Sequence, residues 1–169
     1  SGIPSIVYGL FGFLLFVTTL GFGYSLLAGA LTLSIMILPV IMRTTEEALI
    51  SVPDSYREGS LGLGAGKLRT IFKIILPSAI PGILAGVILS VGRIVGETAA
   101  LIYTAGSVAQ IPDNLMGSGR TLSVHLYALW MEGLNTEQSY ATAVVLLIMV
   151  IGLNTLSAFV AKRLGRGKA

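Results

Sequence analysis

Glu58-Gly59-Ser60-Leu61-Gly62-Leu63-Gly64, continued through Gly66-Lys67-Leu68-Arg69 to Ile74-Ile75-Leu76-Pro77, is polar and broken by glycine, yet it lies between hydrophobic segments long enough to cross a bilayer. Soluble domains carry about 25% charged residues. This chain of 169 residues carries 11%, against 54% hydrophobic residues and a mean hydropathy of +0.87. A transmembrane helix needs about 20 mainly apolar residues. Such windows can be drawn over residues 3–20, 25–42, 80–104 and 140–161. The expected fold is an all-α integral membrane bundle with four spans, and the polar stretch joins the second span to the third. The chain has no cysteine, which excludes a disulfide framework and a thiolate metal site.

The placement of charge sets the expected orientation. Arg43, Arg57, Lys67, Arg69 and Lys73 lie between the second and third windows, and Lys162, Arg163, Arg166 and Lys168 follow the fourth. Residues 105–139 hold Arg120 as their single base, against Asp113, Glu132 and Glu137. Positive residues concentrate on the cytoplasmic side. The 43–79 loop and the C-terminus are therefore expected inside, with 105–139 and the turn at 21–24 outside.

Within the inner loop, Thr44-x-x-Glu47 matches a capping box and predicts a helix restarting after Arg43. Pro53 suits the first turn of a further short helix, which Gly62, Gly64 and Gly66 then break. Leu68, Ile71, Phe72 and Ile75 recur at helical spacing, with Lys67, Arg69 and Lys73 off that face. Pro77 is expected to end the helix or kink it into the membrane. Two short helices at an angle would present a knob to a partner. An amphipathic hairpin resting on the membrane surface is the plainer alternative.

The third window carries Arg93 and Glu97. Charge at membrane depth costs about 2.5–3.5 kcal/mol on insertion scales, and such residues face a bundle interior or a pathway. On a continuous helix Arg93 lies near mid-membrane, and Glu97 follows at i+4 on the same face. A guanidinium suits a phosphate-like anion because its donors bind two oxygens together. A neutralised internal ion pair that holds helices together is the structural alternative. Gly82-x-x-x-Gly86-x-x-x-Ser90 and Gly92-x-x-x-Gly96-x-x-x-Ala100 form two small-residue ridges suited to close helix contact.

The remaining polar residues carry less chemistry. His125 stands between Val124 and Leu126 outside any metal-ligand spacing and reads as a loop or interfacial residue. Tyr127, Trp130 and Tyr140 suit an aromatic belt, which makes 121–134 an interfacial helix. Asn154, Ser157 and Ala161 share a face of the last span and suit helix contacts. Pro39 is expected to kink the second span. An intramembrane hydrolase would need a nucleophile paired with a base or a metal at membrane depth. No window holds a histidine, and neither His-Glu-x-x-His nor Gly-x-Ser-x-Gly occurs, so an enzyme is not expected.

Glu58, Gly64 and Ile74-Ile75-Leu76-Pro77 resemble the EAA loop of ABC importer permeases, with Gly59 and Ser60 where that loop carries two alanines. Further stretches are similar to the phosphate permeases of the bacterial importers. They are Ile3-Pro-Ser-Ile-Val-Tyr-Gly-Leu-Phe-Gly12, Arg43-Thr-Thr-Glu-Glu-Ala48, Val52-Pro-Asp-Ser-Tyr-Arg-Glu58, Gly96-Glu-Thr-Ala-Ala-Leu101, Leu122-Ser-Val-His-Leu-Tyr127 and Tyr140-Ala-Thr-Ala143. The resemblance implies a type I (MetI-like) ABC importer transmembrane domain over residues 1–169, with 43–79 as coupling loop and 105–139 as extracytoplasmic loop. It implies that Glu58, Gly59, Ser60, Gly64, Ile74, Leu76 and Pro77 dock the ATPase, and that Arg93 and Glu97 line the phosphate path. It also implies a bacterial inner-membrane location and several partners: a second homologous permease, two ATPase subunits, an extracytoplasmic phosphate-binding protein and lipid, without nucleic acid. No cofactor is expected, since ATP and Mg²⁺ would belong to the ATPase.

A permease for another oxyanion such as sulfate or molybdate would share the loop. A passive anion channel or secondary transporter would share Arg93 and have no use for a docking hairpin. Four spans where that family usually has six, with a start at Ser1 and no initiator Met, suggest the C-terminal part of a longer permease.

Overall fold

The computed structural model describes residues 2–133 and 135–166, with side chains as far as Phe159. Every regular element among them is helical. The first, α1 (Ser5–Gly12), continues as a π-helical segment over Phe13–Thr19. The hydroxyls of Thr18 and Thr19 donate to the carbonyls of Phe13 and Leu14, five residues back, at 3.0 and 2.7 Å, in register with the wider π turn. This helical run of 15 residues is about 22 Å long, short of the roughly 30 Å hydrocarbon core. The helices long and apolar enough to cross a membrane are Leu26–Ile50, Lys67–Val95 and Thr136–Phe159. Hydropathy alone suggests a fourth span over residues 3–20, where the structure has a shorter apolar helix.

The second element, α2 (Leu26–Ile50), runs without interruption through Pro39 and past Arg43. The helix restart expected at Thr44 is therefore not observed. Inside a continuing helix the backbone N–H groups already have acceptors. The Thr44 hydroxyl instead donates back to the carbonyls of Val40 and Ile41, at 3.0 and 3.1 Å. Arg43 and Glu47 form an exposed i,i+4 ion pair at 3.0 Å.

After Pro53, α3 (Asp54–Gly62) is followed by a turn and then by α4 (Lys67–Thr70), a π-helical segment (Ile71–Ile75) and α5 (Leu76–Val95). The last three form one helical run. Pro77 thus does not end the helix. The wider π turn sits just ahead of it, where a proline ring would otherwise meet the carbonyl one turn back, and Ser78 Oγ donates to the Ile74 carbonyl four residues back at 2.7 Å. A break at 96–98 separates α5 from α6 (Ala99–Ile102), and α7 (Leu122–Glu132) and α8 (Thr136–Arg166) follow. Thr121 caps α7, and Gly133 closes it at φ 66°, so the helix expected within 121–134 is present. Leu134 itself lies outside the described residues.

The chain divides into two compact units, residues 1–38 with 92–153 and residues 39–91 with 154–169. In the second unit Ala48, Val52, Ile75 and Ala79 form the core, with Leu49 and Ile83 packed against it. The ridge Gly82-x-x-x-Gly86 is used for close approach, as its sequence implies. A Cβ on Gly82 would come within 2.8 Å of Ala48 Cβ, and one on Gly86 would run into Thr44.

In the first unit Leu101, Ala105 and Val124 form the core, flanked by Leu33 and Ile102. Gly9 and Gly12 of α1 leave no room for a side chain, the first against Ala100 and the second against Thr32 and Thr104. The loop after α6 satisfies the start of α2: the N–H groups of Ser25, Leu26 and Leu27 donate to the carbonyls of Thr104, Gly117 and Leu115, at 2.9–3.0 Å.

Candidate functional site

Two groups of residues carry chemistry, one in each unit. The first surrounds the break after α5. Arg93 lies in the last turn of α5, where a cation is favoured by the helix dipole. Its side chain is exposed and its guanidinium makes no hydrogen bond or ion pair with the described residues. Helix geometry stops at Val95, so Glu97 does not follow Arg93 at i+4 on one face. The expectation of an Arg93–Glu97 pair assumed a continuous helix, and Gly96 ends that continuity. The second ridge, Gly92-x-x-x-Gly96-x-x-x-Ala100, is broken for the same reason.

Glu97 is instead buried in the break and bound on three sides. Its N–H donates to the Ile94 carbonyl at 3.1 Å, joining it to the end of α5. Its Oε1 accepts from the Ala100 N–H at 3.2 Å, capping α6. Its carbonyl accepts from Ser123 Oγ at 2.6 Å, which joins it to α7. A helix interrupted within an apolar stretch must have its freed backbone groups satisfied locally. One residue type with a long acceptor side chain does most of that here. Glu97 thus caps α6 and forms no ion pair with Arg93.

A nearby cavity of about 370 Å³ is lined by Leu26, Leu33, Ile94, Leu101, Leu122 and Met149 among others. Its walls are apolar and Arg93 is not one of them, so it does not suit an anion.

The second group is the hairpin formed by α3 and α4. Glu58 and Gly59 are exposed on α3, while Ser60 is buried and its hydroxyl meets Thr70 Oγ1 at 2.9 Å. This buried hydroxyl pair fixes α3 against α4. Gly64 sits at φ +81° in the turn, a conformation that favours glycine. Ile74, Leu76 and Pro77 are half-buried where the hairpin passes into α5. Arg57 donates from Nη2 to the Leu49 carbonyl at 3.2 Å and so ties α3 to the end of α2.

The expected apolar face of this segment is mostly not covered by the chain. Ile75 is buried, whereas Leu68 is 72% and Phe72 62% exposed, and Leu63 in the turn is 91% exposed. The hairpin therefore offers an apolar surface rimmed by Glu58, Lys67, Arg69 and Lys73.

Thr70, Ser123 and the strut made by Arg57 were not evident as site residues from spacing. Thr70 lies ten positions from Ser60, and Ser123 twenty-six from Glu97, so no local pattern links either pair. The hydroxyl at each position is the one available signal. His125 is half-buried on α7, and no group of three possible metal ligands occurs among the described residues. Tyr127, Trp130 and Tyr140 are exposed. Asn154 and Ser157 are half-buried on α8. The side chains of Ala161, Lys162, Arg163 and Arg166, and all of Lys168, lie outside the described residues.

Comparison with known proteins gives a consistent picture. The family model described as binding-protein-dependent transport system inner membrane component matches residues 1–169. The chain is similar to the probable ABC transporter permease protein YqgI of Bacillus subtilis, with 41% identity over 147 residues, covering 79% of this chain and 50% of that protein. It is also similar to the phosphate transport system permease protein PstA of Mycobacterium leprae, with 40% identity over 163 residues, covering 94% of this chain and 53% of that one. The phosphate transport system permease protein PstA 1 of Mycobacterium tuberculosis H37Rv is 41% identical over 166 residues, covering 95% and 53%. The chain spans about half the length of these curated relatives. No solved structure matches it.

Proposed function

The chain belongs to the family of binding-protein-dependent transport system inner membrane components, and from that premise we propose that it forms part of the permease of an ATP-driven importer of inorganic phosphate. The observation that carries this reading is Arg93, exposed and without a partner among the described residues at the end of α5, beside a break whose own carboxylate is already engaged. Relatives named as phosphate transport permeases support the choice of anion.

A guanidinium can hold two phosphate oxygens at once and stays charged at every physiological pH. Passage also requires release. A single guanidinium such as that of Arg93 would offer a weaker station than a cluster of cations, and so release as well as binding.

The hairpin at 54–70 is the element that would dock an ATPase. Glu58 would accept charge-assisted hydrogen bonds there, while Leu63, Leu68 and Phe72 would bury apolar surface. Arg93 and the second half of the hairpin belong to the same helical run, Lys67–Val95. A displacement imposed on Lys67 by the closing ATPases would therefore be passed toward Arg93 along one helical run. On this reading, a second homologous permease, two ATPase subunits and an extracytoplasmic binding protein complete the importer. The hairpin and C-terminus face the cytoplasm, and ATP hydrolysis takes place in the partner.

The test is phosphate uptake by the complete importer carrying Arg93→Gln in its full-length permease. Uptake is expected to fall at least a hundredfold, with assembly and ATP binding unchanged, roughly the loss of one charged interaction of 3 kcal/mol. Uptake at the wild-type rate would remove Arg93 from the path. Competition by sulfate and molybdate in the same assay decides between phosphate and another oxyanion.

A further inference from the structure

We propose that Ser123 is a positioning residue for anion passage, acting through Glu97 to hold the break between α5 and α6. The proposal rests on the role given above to Arg93. Ser123 is buried at 5% exposure, in the first turn of a helix that the sequence marks as peripheral. Its hydroxyl donates to the Glu97 carbonyl at 2.6 Å, across 26 residues of chain. The single Ser123 proton is used there, so the 3.0 Å contact with Thr121 Oγ1 has Thr121 as donor. Thr121 Oγ1 in turn accepts the Val124 N–H at 3.4 Å as the cap of α7. A short relay thus runs from the α7 cap through Ser123 to the break.

Its far end matters for Arg93. Glu97, held by Ser123 on its carbonyl, donates its N–H to Ile94, the neighbour of Arg93 in the last turn of α5. Its carboxylate fixes the start of α6, which Gly9 of α1 presses from another side. Without Ser123, the Glu97 carbonyl loses its partner in a buried site. Such a group is costly to leave unsatisfied in an apolar surrounding, so the break would rearrange to find another donor. The last turn of α5, and the guanidinium it carries, would rearrange with it. A hydroxyl far from the anion would then set how well the anion is met.

The experiment uses the complete importer in proteoliposomes, with Ser123→Ala and Ser123→Thr in the full-length permease. It measures phosphate uptake against phosphate concentration, together with amide hydrogen exchange over residues 94–102. Ser123→Ala is expected to raise the transport KM about fivefold and to speed exchange over 94–102 about five- to tenfold, the effect of one lost buried hydrogen bond. Yield of the assembled complex and exchange over 54–70 should stay at wild-type levels. Ser123→Thr keeps the hydroxyl and should return both readouts toward the wild type.

A KM within twofold of wild type in Ser123→Ala overturns the proposal, as does a fall in yield with KM unchanged. If the extra methyl of threonine prevents assembly, exchange in Ser123→Ala decides alone, and unchanged exchange over 94–102 overturns the idea. Arg93→Gln serves as control. Uptake lost in Arg93→Gln with Ser123→Ala unaffected rejects the role of Ser123 by itself, whereas wild-type uptake in Arg93→Gln rejects both readings.

Discussion

A carboxylate that caps a helix works through an acceptor atom, whereas one that balances a guanidinium works through its charge. Substitution at Glu97 separates the two. Glutamine keeps an oxygen able to accept the Ala100 N–H, and alanine does not. Losing a helix cap costs about 1 kcal/mol. Glu97→Ala is therefore expected to lower the melting temperature of the purified complex and to reduce uptake, while Glu97→Gln keeps assembly and retains most uptake. Equal loss of uptake in both variants, with normal melting, would show that the charge is what matters. An arginine and a glutamate in an apolar window stand out in the sequence as candidates for a role. Their geometry cannot be read there. The i+4 relation held only for an unbroken helix, and in the break the Glu97 carbonyl meets Ser123, a partner that no spacing rule reaches.

At the scale of elements, the hairpin kept most of what its glycines and proline suggested. Gly62 ends α3, Gly64 makes the turn, and Pro53 precedes the helix. Thr44 opens no helix because a capping box needs a chain that is just entering one, and α2 continues through it to Ile50. Of the two expectations for Pro77, an end of the helix is not observed, because a π turn ahead of it accommodates the proline within one helical run. The turn itself gives a prediction. Gly64 lies at φ +81°, with nothing within 4 Å of the position a Cβ would take. Strain alone thus decides a substitution there. Gly64→Val should cost about 1–2 kcal/mol at this left-handed position and weaken co-purification with the ATPase, leaving membrane insertion intact. Gly59 is different. It lies inside α3, also with open space around it, so Gly59→Ala should be neutral or should stabilise the hairpin by up to about 1 kcal/mol. Full co-purification of Gly64→Val with the ATPase would show that the turn conformation is not what docks.

At the scale of the molecule, the expected orientation comes from the charges that flank the apolar stretches, since those stretches read the same in either direction. The inner assignment rests on Arg57, Lys67, Arg69 and Lys73 around the hairpin, and the outer one on Asp113, Glu132 and Glu137 against Arg120. Hairpin and outer loop are separated by the run Lys67–Val95, which is long and apolar enough to cross once. A crossing by that run would put the two regions on opposite sides, whatever the path of the shorter helix Ser5–Thr19. The chain contains no cysteine, so single cysteines introduced at Lys67 and at Asp113 report without background from this region. In intact cells making the full-length protein free of other cysteines, a membrane-impermeant maleimide is expected to label Asp113→Cys and to spare Lys67→Cys until the cells are opened. Labelling of Lys67→Cys from outside would invert the molecule and place the hairpin where no ATPase could reach it. Labelling of both positions from outside would mean that Lys67–Val95 does not cross, and the coupling of the hairpin to Arg93 along that helix would fall with it.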